Sequence, residues 1–114
     1  MMASSLEFVQ YAVGQLSGAG EIRYRAMFGE YGLYLDGKFF AMVCDNQLLF
    51  KDTGAGRRAA PELALAEPYP GAKPCLVAEN LDDREALARL ARATCDALPL
   101  PKPKKRRGEK KGGI

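Results

Sequence analysis

The feature that most constrains this chain is Asp36-Gly37, set between two apolar runs. Asp-Gly accepts positive φ at both centres of a two-residue turn, so the flanking runs must fold back on each other as antiparallel strands. The neighbouring residues agree. From Glu21 the side chains alternate, with Ile22, Tyr24, Ala26 and Phe28 on one face and Arg23, Arg25 and Met27 on the other. Tyr31-Gly32-Leu33-Tyr34-Leu35 enters the turn and Lys38–Cys44 leaves it. Asp45-Asn46 marks a second turn, and Gln47–Lys51 reads as a fourth strand. Four strands with such short connections form a meander.

Helical patterns flank it. Ser4 and Glu7 fit a capping box, and Leu6, Val9, Val13 and Leu16 then recur at helical spacing until Gly18 and Gly20, predicting a helix over 5–17. Residues 52–74 are broken by Gly54, Gly56, Pro61, Pro68, Pro70, Gly71 and Pro74, with a short helix expected near Glu62–Ala66. Residues 75–79 read as a fifth strand. Asp82 and Glu85 resemble a second capping box, ahead of a helix whose buried face is Leu87, Leu90, Ala91, Thr94 and Leu98, ended by Pro99 and Pro101. The expected fold is a two-layer α+β domain over residues 1–99. An antiparallel sheet of about five strands would carry the N- and C-terminal helices on one face.

Composition narrows the chemistry. The chain has no His, so a Ser–His–Asp or Cys–His nucleophile pair, a His-ligated zinc and a His proton shuttle cannot be built from it. Cys44, Cys75 and Cys95 are odd in number and lack C-x-x-C spacing; they read as reduced core thiols. The start, MMASSLEFVQ, lacks the basic and apolar regions of a signal peptide, and no apolar run approaches the roughly 18 to 20 residues that cross a bilayer. The expected setting is the cytoplasm, with no membrane partner.

Charge is unevenly placed. Residues 102–114 hold Lys102, Lys104, Lys105, Arg106, Arg107, Lys110 and Lys111 against one acid, Glu109, a net +6. Residues 1–101 carry ten bases against thirteen acids, a net −3. Residues 100–114 are too poor in apolar side chains to bury a core and read as a disordered basic tail. Such a tail attracts phosphates by counterion release, with little means of reading base edges. The tail bases are therefore the candidate nucleic-acid contacts, and binding by them would be non-specific.

Little in the remainder points to catalysis. In Arg25-Ala26-Met27-Phe28-Gly29-Glu30-Tyr31-Gly32 the glycines lie between strands and do not open onto a helix, which suits a tight bend or bulge better than a phosphate cradle. Aromatics crowd the meander, but no RNP1-like run accompanies them, and core packing is the expected role of most. The acids form no recognisable constellation, and Lys51, at the end of an apolar strand, reads as a residue reaching solvent. No enzyme activity and no cofactor are expected.

The block Arg25-Ala26-Met27-Phe28-Gly29-Glu30-Tyr31-Gly32-Leu33-Tyr34-Leu35-Asp36-Gly37-Lys38-Phe39-Phe40-Ala41 resembles the R-x-M-F-G-x-Y-G-h-Y-h-D-G-x-h-F-A signature (h, hydrophobic) of the TfoX N-terminal domain family. Asp45–Lys51 is similar to that family's next strand, which ends in Lys, and Leu81–Leu87 looks like its closing helix start. The resemblance spans roughly residues 5–98. It implies a secretion-chaperone-like fold, a bacterial cytoplasmic protein, and a structural role for Arg25, Met27, Phe28, Gly29, Tyr31, Gly32, Asp36, Gly37 and Lys51. Full-length members are competence regulators that act on transcription with the cAMP receptor protein and carry a second, helical domain, a place taken here by the basic tail. After Lys51, Tyr69-Pro70-Gly71 and Cys75 stand where family members often carry further aromatics. The resemblance supplies no catalytic residues. It implies a transcription-linked accessory with a protein partner, either the transcription machinery or a second copy of the chain. The alternative is a chaperone-like interaction or dimerisation module with an inert solubilising tail.

Overall fold

The computed structural model describes residues 4–27 and 29–99; Phe28 of the signature block and the tail bases Lys102, Lys104, Lys105, Arg106, Arg107, Lys110 and Lys111 lie outside the described residues. The elements in chain order are helix α1 (Leu6–Leu16), a 3-10 turn (Ser17–Ala19), strands β1 (Ile22–Met27), β2 (Glu30–Leu35), β3 (Lys38–Cys44) and β4 (Gln47–Lys51), helix α2 (Gly54–Ala59), strands β5 (Leu65–Ala66) and β6 (Cys75–Val77), and helix α3 (Arg84–Ala97). The fold is α+β. One antiparallel sheet in the order β1-β2-β3-β4-β6-β5 carries the helices on one face.

The meander forms as its turns dictate. Asp36 and Gly37 take φ of 52° and 85°, and Asp45 and Asn46 take 53° and 56°, the paired positive values of two-residue hairpin turns. One irregularity interrupts the ladder. Leu33 pairs with Ala41 but Tyr34 pairs with Phe39, so Phe40 is an extra residue on β3. The bulge turns Phe40 into the core beside Phe50, ring centroids 5.7 Å apart.

The buried layer joins Leu33 and Leu35 of β2, Phe40, Ala41 and Val43 of β3, and Leu48 and Phe50 of β4. Against them lie Val9, Ala12 and Leu16 from α1 and Leu87, Leu90, Ala91 and Cys95 from α3. Polar contacts then fix α3. Lys38 Nζ donates to the carbonyls of Cys95 and Leu98 at 3.0 and 2.9 Å, satisfying acceptors that the end of a helix leaves open. Arg92 donates to Ala19 O and to the carboxylates of Asp36 and Asp96, tying α3 to the β2–β3 turn. Asp36 thus closes the hairpin and anchors the helix above it.

Several expectations need correction. The caps sit one residue later than the box pattern suggests. Ser5 caps α1 by accepting from Phe8 N, and Asp83 caps α3 by accepting from Ala86 N. Ser4 instead is buried, its hydroxyl accepting from Asn46 N. The short helix is not at 62–66. It is α2, capped by Thr53, and residues 65–66 form β5, a sixth strand. Glycine drives that difference, because a Cβ on Gly56 would come within 3.1 Å of Thr94 Oγ1 on α3. Gly56, which looks like a breaker, lets α2 lie against α3. The fifth expected strand, β6, ends at Val77 instead of residue 79. In β1 the alternation buries little, since the strand is at the sheet edge; Ile22 meets the core while Tyr24 and Ala26 are exposed.

Phe50→Ala should cost about 3–5 kcal/mol, the loss expected for a fully buried aromatic on the shared layer. Urea unfolding followed by circular dichroism measures it, and a change below about 1 kcal/mol would show that this layer is not the organising core.

Candidate functional site

Each strand has a second face, turned away from the helices. Cys44 of β3, Leu49 of β4 and Cys75 of β6 form a small separate cluster there, joined by Met42, Ala66 and Val77. The stretch between β5 and β6 contributes Pro68 and Tyr69, and Tyr69 is 49% exposed. Between this stretch and the strands runs a groove with two compartments. The first, about 340 Å³, is lined mainly by Met27, Phe39, Met42, Cys44, Pro68 and Tyr69. The second, about 570 Å³, shares Phe39, Met42, Pro68 and Tyr69 and adds Lys51, Asp52, Lys73 and Cys75.

Gly32 forms the floor. A Cβ there would come within 2.8 Å of Met27 Cε and 2.9 Å of both Met27 Sδ and Phe39 Cε1. The missing side chain lets the Met27 thioether and the Phe39 ring close over β2. Phe39 is held from two other sides: Tyr34 lies at 5.4 Å between centroids, and Lys51 Nζ stands 4.4 Å above the ring. Burial pushes the Lys51 ammonium below its ordinary pKa; the nearby Cys75 works against this and Lys73 adds to it. Burial also pushes the thiols up, Cys44 to about 11, and Cys75 in the same direction despite Lys51. These cysteines are protonated and poorly nucleophilic near neutral pH. Asp52 is taken up by Arg57, which donates to both carboxylate oxygens at 2.6 Å.

At the other end of the groove Glu30 is a tie. Its two oxygens accept from Ser4 N and Asp45 N, each at 2.9 Å, while Asn46 Oδ1 accepts from Ser5 N. Burial raises the Glu30 pKa, but the Ser4 hydroxyl and the amides of Asp45 and Ser4 outweigh it and hold the carboxyl below its ordinary value. The chain start, β2 and the β3–β4 turn meet at this one carboxylate.

The signature residues therefore separate by role. Met27, Gly32, Tyr31 and Lys51 converge on the groove. Gly29, with φ of 79°, and Gly37 serve turns, and Asp36 anchors Arg92. Arg25 is exposed on β1, opposite Gly32. The bend expected of both signature glycines applies to Gly29 only; Gly32 lies within β2, and its reason is close approach. Lys51 reaches across the Phe39 ring as well as toward solvent. Sequence reasoning missed Phe39, Met42, Cys44 and Tyr69 as groove residues. Strict alternation along β3 would set Phe39 on the face opposite Met42 and Cys44, and only the bulge at Phe40 brings the three together; nothing local says where Tyr69 folds.

The free edge of β1 is the second feature. Among the described residues β1 pairs with β2 on one side only, and it is mostly exposed. Arg23 and Arg25 project to the groove side of the sheet; Arg23 pairs with Glu21 at 2.9 Å. Among the described residues no three His, Cys, Asp or Glu stand close enough to hold a metal ion.

Residues 14–98 match the TfoX N-terminal domain family. The chain is also 39% identical over 105 residues to a Spirochaeta aurantia protein described as an uncharacterized 12.7 kDa protein in the trpE 5′ region, with 91% of each chain covered. This chain belongs to the TfoX N-terminal domain family. No helix of the described residues is long and apolar enough to cross a membrane.

Two measurements probe the site's framework. Gly32→Ala should destabilise by about 1–3 kcal/mol in urea unfolding, because the Phe39 ring must move out of its contact with Lys51. A neutral or stabilising result would mean that the floor has spare room. Glu30 has a lowered folded pKa, so its contribution is complete above the unfolded carboxyl range near about 4.3 and is lost as pH falls through the folded value. Glu30→Gln should cost about 1 kcal/mol at neutral pH and flatten the stability decline in acid. Parallel pH–stability curves for both proteins would contradict that assignment.

Proposed function

We propose that this member of the TfoX N-terminal domain family is a non-enzymatic, transcription-linked accessory of the cytoplasm. It holds a protein partner at the free edge of β1 while its basic tail makes weak, sequence-indifferent phosphate contacts. The observation that carries the reading is the edge of β1 that no other strand among the described residues pairs with, bordered by Arg23 and Arg25. An exposed strand edge offers a row of backbone donors and acceptors to an extended segment, which adds to the sheet as one more strand.

Charge selects the partner. A second copy adding its own β1 in antiparallel fashion, with the helices on the same side, would set Arg23 and Arg25 against their counterparts on one face of a continuous sheet. Like charges placed opposite each other destabilise such a pair. The edge suits an extended segment rich in Asp or Glu. Family membership supports the link to transcription, and the net +6 of residues 102–114 supports phosphate contact.

A short peptide alternating Glu and Val should slow hydrogen–deuterium exchange over residues 22–27, and its Lys–Val counterpart should not. The Arg23→Glu, Arg25→Glu double variant should reverse that preference. Equal protection by both peptides, or by neither, would refute the edge reading. For the tail, duplex DNA affinity should fall roughly 10³-fold between about 50 and about 200 mM salt. Gln at Lys102, Lys104, Lys105, Arg106, Arg107, Lys110 and Lys111 should remove it; unchanged binding would remove the tail's role.

A further inference from the structure

The groove on the open face is not explained by an edge-docking role. Its first compartment is walled by Met27, Phe39, Met42 and Tyr69, and it opens into a second that contains Lys51 and Lys73. The volumes, about 340 and 570 Å³, fall in the range of small-molecule sites. Such sites combine apolar walls with a few placed polar groups, and here the polar groups gather at one end.

Electrostatics identifies the missing piece. Lys51 and Lys73 line the same compartment, and neither forms an ion pair among the described residues. The nearest lining carboxylate, Asp52, is already committed through both oxygens to Arg57. Glu30, at the far end, has each oxygen on a backbone amide. The second compartment therefore holds two cations facing a shared space without a counter-anion, and a low-dielectric wall on one side strengthens that demand.

The walls narrow the ligand further. Met27 and Met42 are unbranched and polarisable, so they shape themselves to a flexible chain. The face of Phe39 is partly taken by Lys51, which leaves less surface for stacking a flat ring. The two cations are ammonium groups, compact point charges, with no guanidinium fork to grip a phosphate in two places; Arg57 lies locked on Asp52. Ammonium point charges can hold a compact carboxylate head between them without the forked geometry that Arg supplies.

We propose that the groove binds a monomeric amphipathic carboxylate of the medium-chain fatty-acid class, its chain along Met27, Phe39, Met42 and Tyr69 and its head between Lys51 and Lys73. The site is separate from the β1 edge, so the two readings stand or fall independently. Occupation would press on Tyr69 and the Phe39 ring, and through Phe39 on the Gly32 floor of β2, the strand that pairs with β1.

The test is titration of the full chain with decanoate below its micelle concentration, followed by the methyl signals of Met27 and Met42 in a ¹³C-methionine-labelled sample. Saturable shifts of both methyls are expected. Octanoate, two methylenes shorter, should bind about fifteenfold more weakly, since each buried methylene contributes about fourfold. Decanol should bind at least about tenfold more weakly than decanoate, and a decyltrimethylammonium ion should not compete. Lys51→Gln with Lys73→Gln should lower decanoate affinity about tenfold, leave decanol affinity unchanged and preserve the circular dichroism spectrum. Arg23→Glu with Arg25→Glu should leave decanoate affinity intact. Absence of saturable shifts, equal binding of the cationic amphiphile, or preference for phosphatidylglycerol vesicles over monomeric decanoate would overturn the proposal. If the lysine variant fails to fold, the comparison of anionic, neutral and cationic chains on the unaltered protein still decides it.

Discussion

One-sided burial of the meander is the constraint on which the other features rest. Leu33, Leu35, Val43, Leu48 and Phe50 face α1 and α3 and are almost wholly removed from water. Strand side chains alternate, so committing these residues to the helical layer also commits Met27, Met42, Leu49 and Lys51 to the opposite face, and the bulge at Phe40 adds Phe39 to them. Among the described residues no helix covers that face. The stretch between β5 and β6 that carries Pro68 and Tyr69 shields part of it. The groove is thus a consequence of sheet periodicity combined with having helices enough for one side only. A one-residue slip of register would exchange the two faces, which is why both hairpin turns rest on residues that accept positive φ.

Much of this was legible in the residues because it depends on local physics. Asp36-Gly37 and Asp45-Asn46 place two hairpins with no knowledge of distant contacts. Leu87, Leu90, Ala91 and Thr94 mark the buried side of α3 by spacing alone. The caps show where local reading stops. Ser4 and Ser5 are equally good N-cap residues by type, as are Asp82 and Asp83. In each pair the second caps the helix and the first is claimed elsewhere, Ser4 by Asn46 and Glu30, Asp82 by the Tyr11 hydroxyl. Those partners lie tens of residues away in the chain. α2 was hidden for a related reason, because glycine lowers helix propensity in isolation while Gly56 is what allows this helix to reach Thr94.

The candidate site was legible only in fragments. The signature block holds Met27, Gly32 and Phe39, but their convergence needs the β1–β2 register and the bulge at Phe40, neither of which a pattern of types encodes. The bulge lets Phe39 and Phe40, adjacent in the chain, serve the groove and the core. Tyr69 lies between two prolines in a segment without periodicity, so its place over the groove is a purely tertiary fact.

Charge placement follows from the same economy of contacts. Residues 1–101 carry more acids than bases, yet seven of the thirteen acids are engaged: Glu21 with Arg23, Asp36 and Asp96 with Arg92, Asp52 with Arg57, Glu30 with two amides, Asp82 with Tyr11, and Asp83 at the α3 cap. Most of these ties lie on the surface, where a single ion pair contributes little to stability. Their larger effect is on recognition. The cations that remain without an ion pair among the described residues include Arg25 on the open edge and Lys51 and Lys73 in the groove. A body that is acidic on average thereby presents positive charge at the two places where backbone or apolar surface is also free. Apolar surface beside an unanswered charge is what distinguishes a recognition site from an unfinished core, because a ligand that satisfies both gains where water alone satisfies only the charge.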